Sequence, residues 1–241
     1  MRPTIFEYQA VWLFAIRARA IRQSPAYPGG ATIDEQFRRL DMGWDTLTIG
    51  EALRRTASRF PQRIAVVGTD QRISFAELDR AADELAHGLR ALGVGRGDQV
   101  ALWITNSPEW VICWMACARL GAVLVTVNTR YKPDEVEYIL RQSDARVLIA
   151  MDRFWGVDFA GMIRDLVPEL AACTPGETRS ARLPALRAVV MWGAVDEPGT
   201  THLQALRAEG ARRIGAGARL PPVDAADPVI IVYTSGTTGH P

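Results

Sequence analysis

Lysine is almost missing from this 241-residue chain. Lys132 is the only one among 28 Lys+Arg residues, and every other basic side chain is arginine. A coding bias toward Arg and Ala accounts for the pattern. Even so, chemistry that needs a compact, flexible ammonium has a single candidate here, because arginine is not its equivalent. A charge excess is missing as well: 28 basic against 27 acidic residues leaves a net charge of +1. That removes the electrostatic case for a nucleic-acid partner, which requires a strong basic surplus. Cysteine is scarce and odd in number, with three residues and no disulfide framework. Cys113 and Cys117 stand four apart on a predicted helix, and His87, His202 and His240 are scattered. Buried reduced thiols explain this better than a metal site, so no metal ligand is assigned. No apolar run approaches the roughly 20 residues of a membrane span. The N-terminal "VWLFAIRARA" imitates a signal peptide through Ala18 and Ala20. Its apolar stretch Val11–Ile16 is too short, however, Glu7 precedes it, and Arg17 and Arg19 lie on the wrong side. A cytoplasmic location is expected.

Hydrophobic residues make up 48% of the chain and charged residues 23%, the profile of a globular protein. Residues 1–45 read as an irregular lead-in broken by "SPAYPGG", and residues 46–241 carry the regular pattern. "TIGE" is a capping box in which Thr48 caps and Glu51 reaches back, with Leu53, Ala57 and Phe60 near one face and Pro61 as the stop. "RIAVV" (Arg63–Val67) and "RIS" (Arg72–Ser74) flank a turn. "SFAE" then opens a long helix with Leu78, Ala81, Ala82, Leu85, Leu89 and Leu92 at helical spacing, closed by Gly93. Strand Gln99–Ile104, a helix from Pro108 capped by Ser107, strand Ala122–Val127, helix Pro133–Gln142 and strand Arg146–Ala150 follow in alternation. Beyond them the pattern predicts a helix over Phe159–Leu170, a loop over Cys173–Arg182, a strand at Leu186–Met191 and a helix at Thr201–Ala208. The last strand is expected at Val229–Tyr233. Such alternation with short connections is the signature of α/β with a parallel sheet.

The last strand runs into "YTSGTTGHP". Gly236 and Gly239 bracket small hydroxyl residues. Glycine lets the backbone approach a ligand closely, and successive N–H groups form a concave anion nest. Ser235, Thr237 and Thr238 add hydroxyl donors. The position, just past a strand end, is where open α/β sheets bind ligands. No Gly-Lys pair occurs, so this is not the G-x-x-x-x-G-K-[ST] loop, and there is no G-x-G-x-x-G fingerprint for hydride chemistry. A plain Ser/Thr/Gly tail is disfavoured by the apolar strand and the Asp227-Pro228 pair before it.

"DPVIIVYTSGTTGHP" resembles the phosphate-loop signature of the AMP-forming adenylate family, which includes acyl-CoA synthetases, non-ribosomal adenylation domains and luciferases. "ISFAELDRAADELAHGLRALGVGRGDQVALWITNSPEW" and "ARLGAVLVTVNTRYKPDEVEYILRQSDARVLI" resemble two earlier blocks of that family, the second in its fatty-acyl form. The resemblance implies an incomplete N-terminal domain of the adenylate-forming fold, α/β with mostly parallel sheets covered by helices. It implies a carboxylic acid, of the fatty class by the second block, attacking the α-phosphorus of ATP to give an acyl-adenylate and pyrophosphate, and then transfer to coenzyme A. Thr234, Ser235, Gly236, Thr237, Thr238 and Gly239 would hold the β- and γ-phosphates and spread the developing charge. Mg²⁺ would accompany the nucleotide. His240 falls at a variable position and takes no role, and no catalytic residue is assigned. Asn106, Ser107, Pro108 and Asn128–Arg130 are explained by capping and turn chemistry.

The resemblance also implies a longer enzyme, with a lysine just after this loop and another in a C-terminal domain. Lys132 is in neither context. The expectation is a truncated chain that is inactive alone. Two readings stay open: the N-terminal part of a ligase cut short artificially, by a frameshift or by a misplaced gene boundary, or a non-catalytic remnant that binds nucleotide or a partner protein or is the product of a decayed gene.

Overall fold

The computed structural model describes residues 46–233. The chain divides into Met1–Leu47 and Thr48–Pro241, and everything below concerns the second unit. Its first helix, α1 (Ile49–Arg59), begins at the expected capping box: Glu51 donates its amide to the Thr48 hydroxyl, and the Thr48 amide donates back to the Glu51 carboxylate. Leu53 and Ala57 are buried, whereas Phe60 lies one residue past the helix, with the Arg59 and Arg63 guanidinium groups over its ring. An antiparallel pair follows, β1 (Ile64–Val67) and β2 (Arg72–Ser74). Ser74 and Glu77 form the second capping box, which opens α2 (Phe75–Ala91).

The centre is a six-stranded, wholly parallel sheet. Its members are β3 (Gln99–Trp103), β4 (Val123–Thr126), β5 (Val147–Met151), β8 (Ala188–Trp192), β9 (Thr201–His202) and β10 (Ile230–Val232), in the spatial order β10-β4-β3-β5-β8-β9. The helices between them are α3 (Pro108–Leu120), α4 (Pro133–Gln142), α5 (Phe159–Leu166) and α6 (Leu203–Gly215). Right-handed crossovers set the layers. The chain moves one way from β3 to β4, back across β3 to β5 and on to β8, then returns across the whole sheet from β9 to β10. Connections running in opposite directions must place their helices on opposite faces. Accordingly α2 packs on α3 and α6, while α4 packs on α5. Burial on both faces explains why β3, β4, β5 and β8 are near-continuous apolar runs. On one of these faces Trp103 meets Phe159 edge to face, with ring centroids 4.9 Å apart.

Three expectations need correction. The helix predicted over Phe159–Leu170 stops at Leu166, because Val167 precedes Pro168 and is pushed out of helical geometry. A separate 3₁₀ turn covers Leu170–Ala172. The helix predicted at Thr201–Ala208 begins at Leu203 and runs through Gly210 to Gly215, with Thr201–His202 joining the sheet instead. The third is a hairpin that the sequence reading missed, β6 (Arg153–Phe154) with β7 (Val157–Asp158).

Gly210 is in mid-helix for a packing reason. A Cβ built there would sit 1.7 Å from the Glu84 carbonyl oxygen, and one at Gly88 would sit 2.4 Å from that of Leu206. Helices α2 and α6 therefore touch backbone to backbone at a pair of glycines. Two arginines reinforce α2 from either side: Arg207 of α6 reaches Glu84 at 2.7 Å, and Arg119 of α3 binds Asp79 and Asp83. Cys113 and Cys117 are buried free thiols, and burial pushes Cys117 up to about 12, which leaves it an inert packing group.

Candidate functional site

The site is approached through residues 224–233. Asp224 accepts the amide of Ala226, and Asp227 accepts the amide of Asp224, so the segment before β10 is a self-bonded turn. Asp227 also holds Arg96 at 2.6 Å, across 131 positions of sequence. Arg96 stands just ahead of β3, and its side chain passes close to Gly121 together with Val223. Gly121, with φ 72°, ends α3 and turns the chain into β4. These contacts deliver β10 to the side of β4, in the register Ile230↔Leu124, Ile231↔Val125 and Val232↔Thr126.

The Arg96 hydrogen bond, aided by the Asp224 amide, holds the Asp227 carboxyl below its usual range. A depressed folded value means that the contact contributes in full above the ordinary carboxylate range and is lost as pH falls through the lowered value. Amide-exchange protection along β10 should therefore drop on acidification through that window. In Asp227→Asn the protection should be lower at neutral pH and insensitive to the same acidification. Equal protection in the two proteins at both pH values would refute this role.

Within β10 the Ile231 carbonyl accepts the Thr126 hydroxyl at 3.4 Å, and just past the strand the Tyr233 hydroxyl pairs with the Gln142 side chain of α4. Burial, with Tyr138 nearby, pushes the Tyr233 phenol up, so it stays a neutral donor. At the same end of the sheet the Trp103 indole donates to the Asn128 carbonyl at 3.1 Å, and the Asn128 side chain accepts the Arg130 amide at 2.9 Å. Ser107 caps α3 by accepting the Trp110 amide. Asn128 and Ser107 thus serve the turn and the cap, as expected from the sequence.

Thr234, Ser235, Gly236, Thr237, Thr238 and Gly239 lie outside the described residues. What the structure provides is their launching point, the carboxyl end of β10 beside those of β4 and β3, where parallel sheets bind ligands. The Arg96–Asp227, Thr126–Ile231 and Gln142–Tyr233 contacts that fix this point were not found from the sequence. Their partners are separated by 131, 105 and 91 positions, and no local pattern links them. Among the described residues no group of three His, Cys, Asp or Glu side chains is placed to hold a metal ion. The described residues therefore do not form a Mg²⁺ cage. Lys132 is exposed and begins α4, where its amide donates to Glu135.

Residues 53–241 match the family described as AMP-binding enzyme. The chain belongs to the AMP-binding enzyme family. Among curated relatives it is 38% identical over 198 residues to YngI of Bacillus subtilis, an acyl-CoA synthetase by name, covering 80% of this chain and 36% of that protein. It is 36% identical over 203 residues to the mitochondrial medium-chain acyl-CoA ligase ACSF2 of Mus musculus, covering 80% and 32%. The chain thus spans about a third of the length of the curated relatives it matches. Among solved structures, Mycobacterium smegmatis MbtA in its apo form superposes with a TM-score of 0.65 at 26% identity, covering 85% of this chain and 34% of that one. The anthranilate CoA ligase AuaEII in complex with anthranoyl-AMP does so with 0.63 at 25%, covering 84% and 35%. The α/β sheet described above is thus the adenylate-forming architecture. No helix among its described residues is long and apolar enough to cross a membrane.

Proposed function

We propose that this chain is the N-terminal, phosphate-loop-bearing part of an AMP-forming acyl-CoA synthetase. The complete enzyme would activate a carboxylic acid of the fatty class with ATP and Mg²⁺ to an acyl-adenylate, then pass the acyl group to coenzyme A. One observation carries the reading: β10 lies parallel to β4 and ends on Tyr233, directly ahead of "TSGTTG", within a family match that runs to residue 241. Thr234–Gly239 would surround the β- and γ-phosphates with amide and hydroxyl donors and stabilise the leaving pyrophosphate. In the same reading a polypeptide of these 241 residues is inactive by itself, because its one lysine, Lys132, stands at the start of α4 and not at the loop.

The test exchanges the matching segment of YngI for residues 48–241. The hybrid should catalyse fatty-acid-dependent exchange of labelled pyrophosphate into ATP, and the 241-residue chain alone should not. A hybrid that melts cooperatively yet exchanges nothing with any carboxylic acid would overturn the ligase reading. Exchange by the chain alone would overturn its inactivity.

A further inference from the structure

His87 of α2 is 4% exposed, and its ring makes no hydrogen bond among the described residues. Its Nδ1 is sealed from solvent altogether. Buried polar groups are normally paired, so this one is an exception to be explained. The residue borders a cavity of about 560 Å³, whose other walls include Ile214 of α6 and residues 217–223. No residue of β10 lines it.

The surroundings of His87 oppose a positive charge. Burial is the largest influence and holds the ring below the ordinary histidine value of about 6.5. Asp83 on the same helix pulls the other way, while Arg90 of α2 and Arg213 of α6 add to the effect of burial. The Asp83 carboxylate is already engaged, by Arg119 of α3 at 3.0 Å and by Arg54 of α1 at 3.9 Å. Glu84 of α2 is held by Arg207 at 2.7 Å, and Glu209 of α6 by Arg213 at 2.7 Å. On the cavity wall Glu51 of α1 is bonded back to Thr48, and Arg219 is one more positive charge. A proton on His87 therefore meets no free carboxylate, and only water can stabilise it.

The walls of the cavity are unequal. Helices α2 and α6 meet backbone to backbone at Gly88 and Gly210, and Arg119 ties α3 to α2. The segment that follows α6 is held far less. The Ala218 amide donates to the Arg213 carbonyl, and the Asp224 amide donates to the Asp227 carboxylate. Between them, residues 219–223 make no hydrogen bond among the described residues. Pro221 and Pro222 have no amide to donate. The segment rests on two apolar anchors, Leu220 against the core and Val223 beside Gly121. Stretches with so few backbone bonds open at low cost.

We propose that residues 219–223 form an acid-released strap: when His87 takes up a proton, water enters the cavity to solvate it, and the strap is the wall that yields. In the open form the wetted ring has an ordinary affinity for protons, and in the closed form a reduced one. Closure therefore keeps its full strength above about pH 6.5, and opening gains at most about tenfold for each pH unit below it. The Asp227 contact gives way only below the ordinary carboxylate range. The strap is thus released first and the turn before β10 later.

The test is limited trypsin digestion of the 241-residue chain between about pH 7.5 and about pH 5.5, the range in which an imidazole titrates. The cut between Arg219 and Leu220 is followed by mass. Its rate is divided by that of trypsin on a short peptide of the same sequence. When reclosing outpaces cleavage, this ratio reports the open population. It should rise about fivefold across the range in the parent and stay flat in His87→Leu, which has no proton to take up. The cut between Arg146 and Val147, at the start of β5, reports opening of the whole fold and should not rise. Arg213→Gln removes a neighbouring positive charge from outside the cavity wall, so it should move the rise to higher pH. That surface variant decides the matter even if His87→Leu fails to fold. A flat ratio in the parent, an equal rise in His87→Leu, an unmoved profile in Arg213→Gln, or a parallel rise at Arg146 would each overturn the proposal.

Discussion

Gly210→Ala is expected to destabilise the protein by about 3 kcal/mol, the upper part of the range for overpacking a tight contact. An exposed helical glycine would behave in the opposite way, since alanine is favoured over glycine in a helix interior by about 1 kcal/mol. The reversal comes from a single contact. The new methyl carbon would lie 1.7 Å from the Glu84 carbonyl oxygen, and Gly88 stands across the same crossing, its own position 2.4 Å from the Leu206 oxygen. Neither obstacle is the end of a flexible side chain. To admit the methyl, α6 must move away from α2, and the Arg207–Glu84 pair at 2.7 Å must lengthen with it. Gly215 is the internal control. It ends the same helix, and a Cβ there meets nothing within 4 Å. Gly215→Ala should be neutral or mildly stabilising. Urea unfolding of the two variants with the parent decides the matter. Equal midpoints for Gly210→Ala and the parent would mean that the α2–α6 crossing is not the tight contact described.

The same glycine marks the limit of what the sequence could show. Elements whose ends are set by neighbouring residues were legible. Thr48 with Glu51, Ser74 with Glu77, Ser107 with Pro108, and Gly121 each start or stop an element where expected, because a cap is a contact within four residues. The buried strands were legible too, since being covered on both faces forces an apolar run. The failures share a different cause. The helix expected to end at Ala208 was drawn too short, and the contact that puts Gly210 inside it, against Glu84, joins positions more than a hundred apart. The Phe159 helix was drawn too long because Leu170 keeps the helical spacing even though Pro168 has already broken the chain. The hairpin Arg153–Asp158 was passed over because its turn, Trp155-Gly156, carries a bulky residue at φ 46°, where turn chemistry favours Asn, Asp or Gly.

At the candidate site the same split holds. The phosphate-loop reading of Thr234–Gly239 rests on those residues alone, and they lie outside the described part. The contacts that hold the strand before it were not recognised, because Arg96–Asp227 and Gln142–Tyr233 join distant positions. A loop signature reports which chemistry a chain carries. The ladder of β10 on β4 fixes where the chain stands at Tyr233, and only the folded sheet contains that information.

Arg119→Met is expected to destabilise by a similar amount, about 3 kcal/mol, the lower end of the cost of breaking a buried ion pair. Arg119 has a side chain only 2% exposed, and its guanidinium holds Asp79 and, at 3.0 Å, Asp83, which are one turn apart on α2. Those carboxylates are 27% and 30% exposed, so water screens part of the loss and keeps it from the upper end of the range. Methionine fills much of the arginine's stem, which also packs against Gly50 of α1, so little of the effect arises from a cavity. What remains is two like charges facing an apolar side chain at the junction of α1, α2 and α3. Replacing both with asparagine in the Arg119→Met background should therefore restore a large part of the stability. The same pair of asparagines in the parent should destabilise, because there they remove the partners of a buried cation. This change of sign is the coupling that a mutant cycle measures. If the asparagine substitutions have the same effect in both backgrounds, Arg119 acts by packing alone and the α2–α3 clamp is not electrostatic.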